Sequence, residues 1–139
     1  MKIRTDFVTN SSSSSFIIAY KDLPMIDDDI IKNYPYLKTY RKLMEHVIFG
    51  GGYGSTSEGN VIVSKYQLDE YFVDRWYGTL EEILDEPNVK RIYDKCLKMI
   101  KKGYSIVTKK IDNYDEYCID LLKDLNDGKN LIILSEDEI

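Results

Sequence analysis

Apolar residues recur every three or four positions between Pro87 and Gly103, and that spacing predicts the first element. In "PNVKRIYDKCLKMIKKG", Val89, Ile92, Tyr93, Cys96, Met99 and Ile100 follow the i, i+3, i+4, i+7 stripe of a helix with one buried face. Pro87 suits a first turn, where its missing N–H is not needed. Gly103 suits a C-terminal cap after Lys101 and Lys102, whose charges complement the helix dipole. Just upstream, "TLEEILDE" pairs Thr79 with Glu82 three residues on, the spacing of a capping box. "YSIVTKKI" is short and β-branched and reads as a strand. Helical spacing returns in "DNYDEYCIDLLKDLNDGKN", with Tyr114, Cys118, Leu121, Leu122 and Leu125 as the stripe. Asp112 or Asn113 is its expected cap, and Gly128 its stop. "NLIILS" then reads as a buried strand. Helix, strand, helix, strand in this order predicts two parallel strands joined by a right-handed crossover helix.

The first half has a weaker pattern. "FIIAY" (16–20) is a strand and "IRTDFV" (3–8) a fainter one. "DLPMIDDDIIKNYP" reads as a loop with one helical turn. "YLKTYRKLMEHVIF" is a helix with Leu37, Tyr40, Met44, Val47 and Ile48 on one face. "GGGYGSTSEGN" is a loop, "VIVSK" a short strand or helix entry, and "YQLDEYFVDRWY" a helix burying Leu68, Tyr71, Phe72 and Trp76. The whole predicts one compact α/β domain over residues 1–139, with a mixed sheet of about four strands and four or five helices. Residues 1–18 stand apart as an N-terminal recognition element.

Composition narrows the class. A 139-residue chain with 43% apolar residues and three prolines is expected to fold, burying roughly 68% of its unfolded surface. No apolar run reaches the ~18 residues of a membrane span, and "MKIRTDFV" lacks the apolar core of a secretory leader. Cys96 and Cys118 match no CxxC or zinc spacing. A cytoplasmic protein with reduced thiols, no cofactor and no membrane partner is expected.

Charge changes the picture more. Residues 90–111 carry eight cations against Asp94 alone, whereas 112–139 carry nine acids against Lys123 and Lys129. Adjacent blocks of opposite sign predict pairing within the chain. Inside the basic block, Arg91, Lys95, Lys98 and Lys102 fall at i, i+4, i+7 and i+11, on one helix face opposite the apolar stripe. Such a ridge attracts phosphate backbones or an acidic protein surface, so nucleic acid is an alternative partner.

Candidate chemistry is sparse. The glycines of Gly50–Gly59 meet neither GxxxxGK[ST] nor GxGxxG, which leaves a mobile connection, or else a lid or partner-contact loop carrying Tyr53. His46 is the only histidine and lies off its helix's apolar stripe. Cys96 and Cys118 sit on apolar stripes, where free cysteine acts as a small hydrophobe. The carboxylates of 27–29, Glu81, Glu82, Asp85 and Glu86 lack metal-ligand spacing and read as helix starts and solvated faces. No catalytic or metal-binding residue is assigned.

One stretch remains, "TDFVTNSSSSSFIIAY" (5–20). Phe7 and Phe16 bracket five serines, and Asn10 can start a turn, so the run is expected as a tight Ω-like loop pinned at both ends. "MKIRTDFVTNSSSSSFII" resembles an N-terminal motif, F-V-(S/T)-N-S-S-S-S-S-F, of small Firmicutes and phage proteins. The resemblance covers only the first eighteen residues, and it implies a bacterial or phage setting rather than a reaction. It implies that Asn10, Ser11, Ser12, Ser13, Ser14 and Ser15 form a docking element. Twelve tyrosines suit a binding surface as well. The expected function is a non-enzymatic macromolecule-binding protein, an accessory factor that modulates or inhibits a host protein complex in the manner of an anti-defence protein.

Overall fold

A single apolar run sets the centre of the fold. The computed structural model describes residues 13–39, 42–50 and 59–136, and within it Ser13–Tyr20 forms strand β1. Alternation along a strand sends Phe16 and Ile18 to one face and Ile17 and Ala19 to the other. All four are buried. A strand that is apolar on both faces has to lie in the middle of a sheet. The remaining strands are β2 (Asn60–Ile62), β3 (Ser105–Asp112) and β4 (Leu131–Glu136), arranged β2-β3-β1-β4.

This arrangement corrects the expected mixed sheet. β3 and β4 run in the same direction, but β1 lies between them and pairs antiparallel with each. β2 pairs antiparallel with β3. Every described pairing is therefore antiparallel. The crossover through the intervening helix spans two strand positions instead of one.

Helices cover both faces, which makes a single α/β domain of three layers. On the first face lie α1 (Asp28–Asn33), α2 (Tyr36–Thr39), α3 (Lys42–Phe49) and α7 (Glu116–Asp124). They bury Leu37, Leu43, Val47, Leu121 and Leu122 against Phe16, Ile18, Val107 and Ile111. On the second face lie α4 (Lys65–Trp76), α5 (Leu80–Ile83) and α6 (Pro87–Lys101). There Leu68, Phe72, Trp76, Ile92, Tyr93 and Cys96 pack on Ile17, Ala19, Ile62 and Ile106. Phe72 is the hub, 4.7 Å from the Trp76 ring and 5.3 Å edge-on from Tyr93.

The described residues hold seven helices, more than expected, because α2 and α5 are single turns. Local signals held where they were strong. Thr79 and Glu82 form the predicted capping box, Pro87 occupies the first turn of α6, and Gly103 and Gly128 take positive φ after their helices. The start of α7 differs. Asp115 caps it by accepting the Cys118 N–H at 3.1 Å, because β3 continues through Asp112 and Asn113 falls in the turn that follows. Tyr114 then precedes the helix and is exposed rather than part of the stripe. Tyr71, expected in the core, is only half-buried. The predicted strand 3–8 and Tyr40 lie outside the described residues.

Candidate functional site

α6 carries the predicted cationic ridge. Its stripe of Val89, Ile92, Tyr93 and Cys96 faces the sheet, which turns Arg91, Lys95, Lys98 and Lys102 outward, all four exposed. Eleven residues at 1.5 Å each separate the ends of the row by about 16 Å. Local bonds order its first turns. Arg91 Nη1 donates to Asn88 Oδ1 at 3.1 Å, and Lys90 Nζ pairs with Asp94 at 3.1 Å. That pairing engages the single acid of the helix with a lysine outside the row.

The serine run lies differently from the loop expected. Ser13–Ser15 are the opening residues of the central strand; Asn10, Ser11, Ser12 and Tyr53 lie outside the described residues. Ser14 faces the first side and its Oγ donates to Asn113 Oδ1 at 2.7 Å. Ser15, directly opposite Lys110 in the ladder, faces the second side and lines a groove between the sheet and α4.

That groove encloses about 350 Å³. The same strand alternation that buries Ile106 brings Thr108 and Lys110 to its floor, with Asn60 beside Thr108 on β2. Tyr71, Asp74 and Arg75 close it from α4, at the i, i+3, i+4 spacing of one helix face. Arg75 is held in place, with Nη1 3.3 Å from the Tyr71 hydroxyl and its guanidinium 5.1 Å over the Trp76 ring. No local pattern in the sequence marks this groove as a whole, because its residues come from four separate segments. The alternation in "IVTKKI" was the one available signal.

Lys109 belongs by composition to the basic block, yet it is 2% exposed. Strand alternation puts it between Val107 and Ile111 on the first face. Its Nζ donates to the His46 backbone carbonyl at 3.2 Å. Burial lowers its pKa to about 8, partly opposed by Cys118. His46 itself is half-buried on α3.

The thiols are poor nucleophiles. Cys96 and Cys118 are both free and buried. Burial pushes the Cys96 thiol up to about 12, against a small opposing effect of Lys95. Burial, with Asp115 as hydrogen-bond partner and charge, pushes Cys118 up to about 12 as well. Each is held as a thiol, not the reactive thiolate.

The remaining candidates do structural work. Gly59 donates its N–H to the Phe49 carbonyl at 2.7 Å, joining the two ends of the glycine segment. A Cβ there would sit 3.0 Å from Val107 Cγ1 and 3.2 Å from the Thr108 carbonyl, so a larger residue would crowd β3. Asp27 and Glu86 cap α1 and α6. Among the described residues, no three His, Cys, Asp or Glu side chains are placed to hold a metal ion, and no helix is long and apolar enough to cross a membrane.

No protein family, curated protein or solved structure matches the chain.

Proposed function

We propose that this chain works by binding another macromolecule, without catalysing a reaction, and that the cationic face of α6 is its contact surface. The observation that carries this reading is the exposed row of Arg91, Lys95, Lys98 and Lys102 on a well-buttressed helix. A phosphate backbone is the partner such a row suits best, since successive charges can follow successive phosphates. The overall charge of -5 opposes indiscriminate accumulation on nucleic acid, so the contact is local and strongly salt-dependent. Four phosphate contacts on a single strand give a slope of about -2.8 in log K against log salt. Fluorescence anisotropy with a labelled single-stranded oligonucleotide tests this. The double reversal Lys95→Glu and Lys98→Glu is expected to abolish binding at moderate salt, and undiminished binding by a folded double variant overturns the reading.

A second reading has its own support. Ser14 is fixed to Asn113, and Ser15 is paired opposite Lys110, so the described end of the serine run is held in one pose at the end of the sheet. In this reading the run, with Tyr53, docks on a host or phage protein, and the chain is a phage or mobile-element accessory factor modulating a host complex. The N-terminal resemblance supplies that setting. Deleting Ser11–Ser15 would remove the start of the central strand, so Asn10, Ser11 and Ser12 should be replaced by alanine instead. A nuclease-treated lysate pull-down separates the readings. One stoichiometric protein that the α6 double variant retains and the alanine variant loses favours the second over the first.

A further inference from the structure

The second face of the sheet changes character along its length. Under the middle of α4 and α6 it presents Ile17, Ala19, Ile62 and Ile106, all buried. One step further along the same strands it presents Ser15, Thr108, Lys110 and Asn60. An ordinary core boundary becomes polar by fading into solvent. Here Thr108 stays buried and Ser15 half-buried while Asn60 and Lys110 are exposed at the rim, and α4 adds Tyr71, Asp74 and Arg75, leaving about 350 Å³ between. That volume lies within the range of small-molecule sites, which combine a concave shape with a few convergent polar groups.

We propose that this groove binds a small phosphomonoester whose organic part carries a hydroxyl or amino donor. Arg75 offers a planar fork suited to two phosphate oxygens, and its stacking on Trp76 and contact with Tyr71 reduce the conformational freedom lost on binding. Lys110 adds a second positive charge from the floor, and the hydroxyls of Ser15 and Thr108 can donate to the remaining oxygens. Asp74 is the discriminating group. A carboxylate beside a bare anion is repulsive, whereas a sugar hydroxyl or an amino group on the ligand donates to it. Among the described side chains on this face of the groove, Arg75 and Lys110 are the cations and Asp74 the carboxylate, which requires a donor from the ligand. The site is independent of α6 and stands whether or not the cationic ridge binds a partner.

Amide chemical shifts of the intact chain, titrated with ribose 5-phosphate, inorganic phosphate and ribose, provide the test. Ribose 5-phosphate is expected to give saturable shifts at Ser15, Asn60, Thr108 and Lys110, with ribose giving none. Arg75→Gln should weaken binding at least about tenfold through loss of a charge-assisted contact. Lys110→Gln, at an exposed position, should do likewise. Binding by the Lys95→Glu/Lys98→Glu protein should be unchanged. Absence of saturation at millimolar ribose 5-phosphate overturns the proposal, as do shifts confined to α6 or binding unaffected by both groove variants. Equal affinity for inorganic phosphate also overturns it and reduces the groove to an adventitious ion only.

Discussion

Lys109 and Lys110 are neighbours on β3 and end in opposite settings. Lys109 enters the first face among Val107, Ile111 and the helices above them, where it is 2% exposed. Lys110 enters the second face, remains exposed, and lines the groove under α4. The first face closes over its lysine, and the second stops short and leaves room. The comparison shows how one strand can supply both a structural cost and a binding feature. Burying a cation stabilises nothing by itself, so the first face must offset it through packing, whereas on the second face Ser15 and Lys110 line a groove.

The largest expected effect tests whether the two faces are separable. Phe72 joins Trp76 and Tyr93 at the centre of the second face. Phe72→Ala should cost about 3–5 kcal/mol through lost burial and a cavity. Because β1 contributes Phe16 and Ile18 to one core and Ile17 and Ala19 to the other, the faces should still unfold together. Denaturation followed by Trp76 fluorescence, which reports the second face, and by far-ultraviolet circular dichroism should give coincident transitions. Separated midpoints would show that the faces are independent units.

Lys109→Met sharpens the contrast next. The folded-state pKa is about 8 against a usual 10.5. Below about pH 8 the lysine is charged in both states, and the folded protein carries the full cost of burying it. Between about 8 and 10.5 the unfolded chain keeps the proton and the folded chain releases it, so this group's contribution rises with pH. The methionine variant should therefore be more stable at pH 7, by at most roughly 3 kcal/mol. Its advantage should shrink as the pH approaches 10. The difference between the two proteins is the quantity to measure. Cys96 and Cys118, held protonated up to about 12, make both proteins less stable above pH 9, because the unfolded chains lose those protons first. A gap that stays constant from pH 7 to 10 would show that Lys109 releases no proton in the folded state.

Tyr77 offers a smaller effect, on the second face alone. It ends α4 with φ of 52° and is 89% exposed, so it accepts left-handed backbone strain with little packing in return. Tyr77→Gly should stabilise by about 1 kcal/mol. Thermal unfolding should show a rise of about 3 °C. No rise would mean that the tyrosine ring contributes as much as its backbone costs.

Legibility in the sequence followed the range of the interactions. The capping box at Thr79 and Glu82, Pro87, Gly103 and the stripe of α6 act within a few residues, and all were readable. The ridge of Arg91, Lys95, Lys98 and Lys102 was readable for the same reason. The insertion of β1 between β3 and β4 was not, since it depends on pairing residues 13–20 with strands about ninety and more than one hundred positions away. "FIIA" nevertheless carried a usable hint, because apolar residues at consecutive positions mark a strand covered on both sides. Lys109 was hidden by composition. Reading 90–111 as one basic block obscured the two-residue period that places it between Val107 and Ile111. The groove had no local signature, because Ser15, Asn60, Arg75 and Lys110 meet only when the sheet and α4 are assembled.

The smallest predicted effect repeats the comparison of the two faces on β1. Ser14 and Ser15 have the same side chain and are adjacent, and strand alternation sends them to opposite sides. Ser14 Oγ donates to Asn113 Oδ1 at 2.7 Å, joining the start of the central strand to the segment leading into α7. Ser14→Ala should cost about 0.5–1 kcal/mol, the ordinary net worth of one such bond. Ser15 lines the groove, so Ser15→Ala should leave stability within about 0.5 kcal/mol. In turn, Ser15→Ala should weaken ribose 5-phosphate binding, which Ser14→Ala should leave intact. Paired denaturation and titration of the two variants measure this double dissociation. A stability loss at Ser15 equal to that at Ser14 would place both serines in structural roles and remove the distinction between the faces at this end of β1.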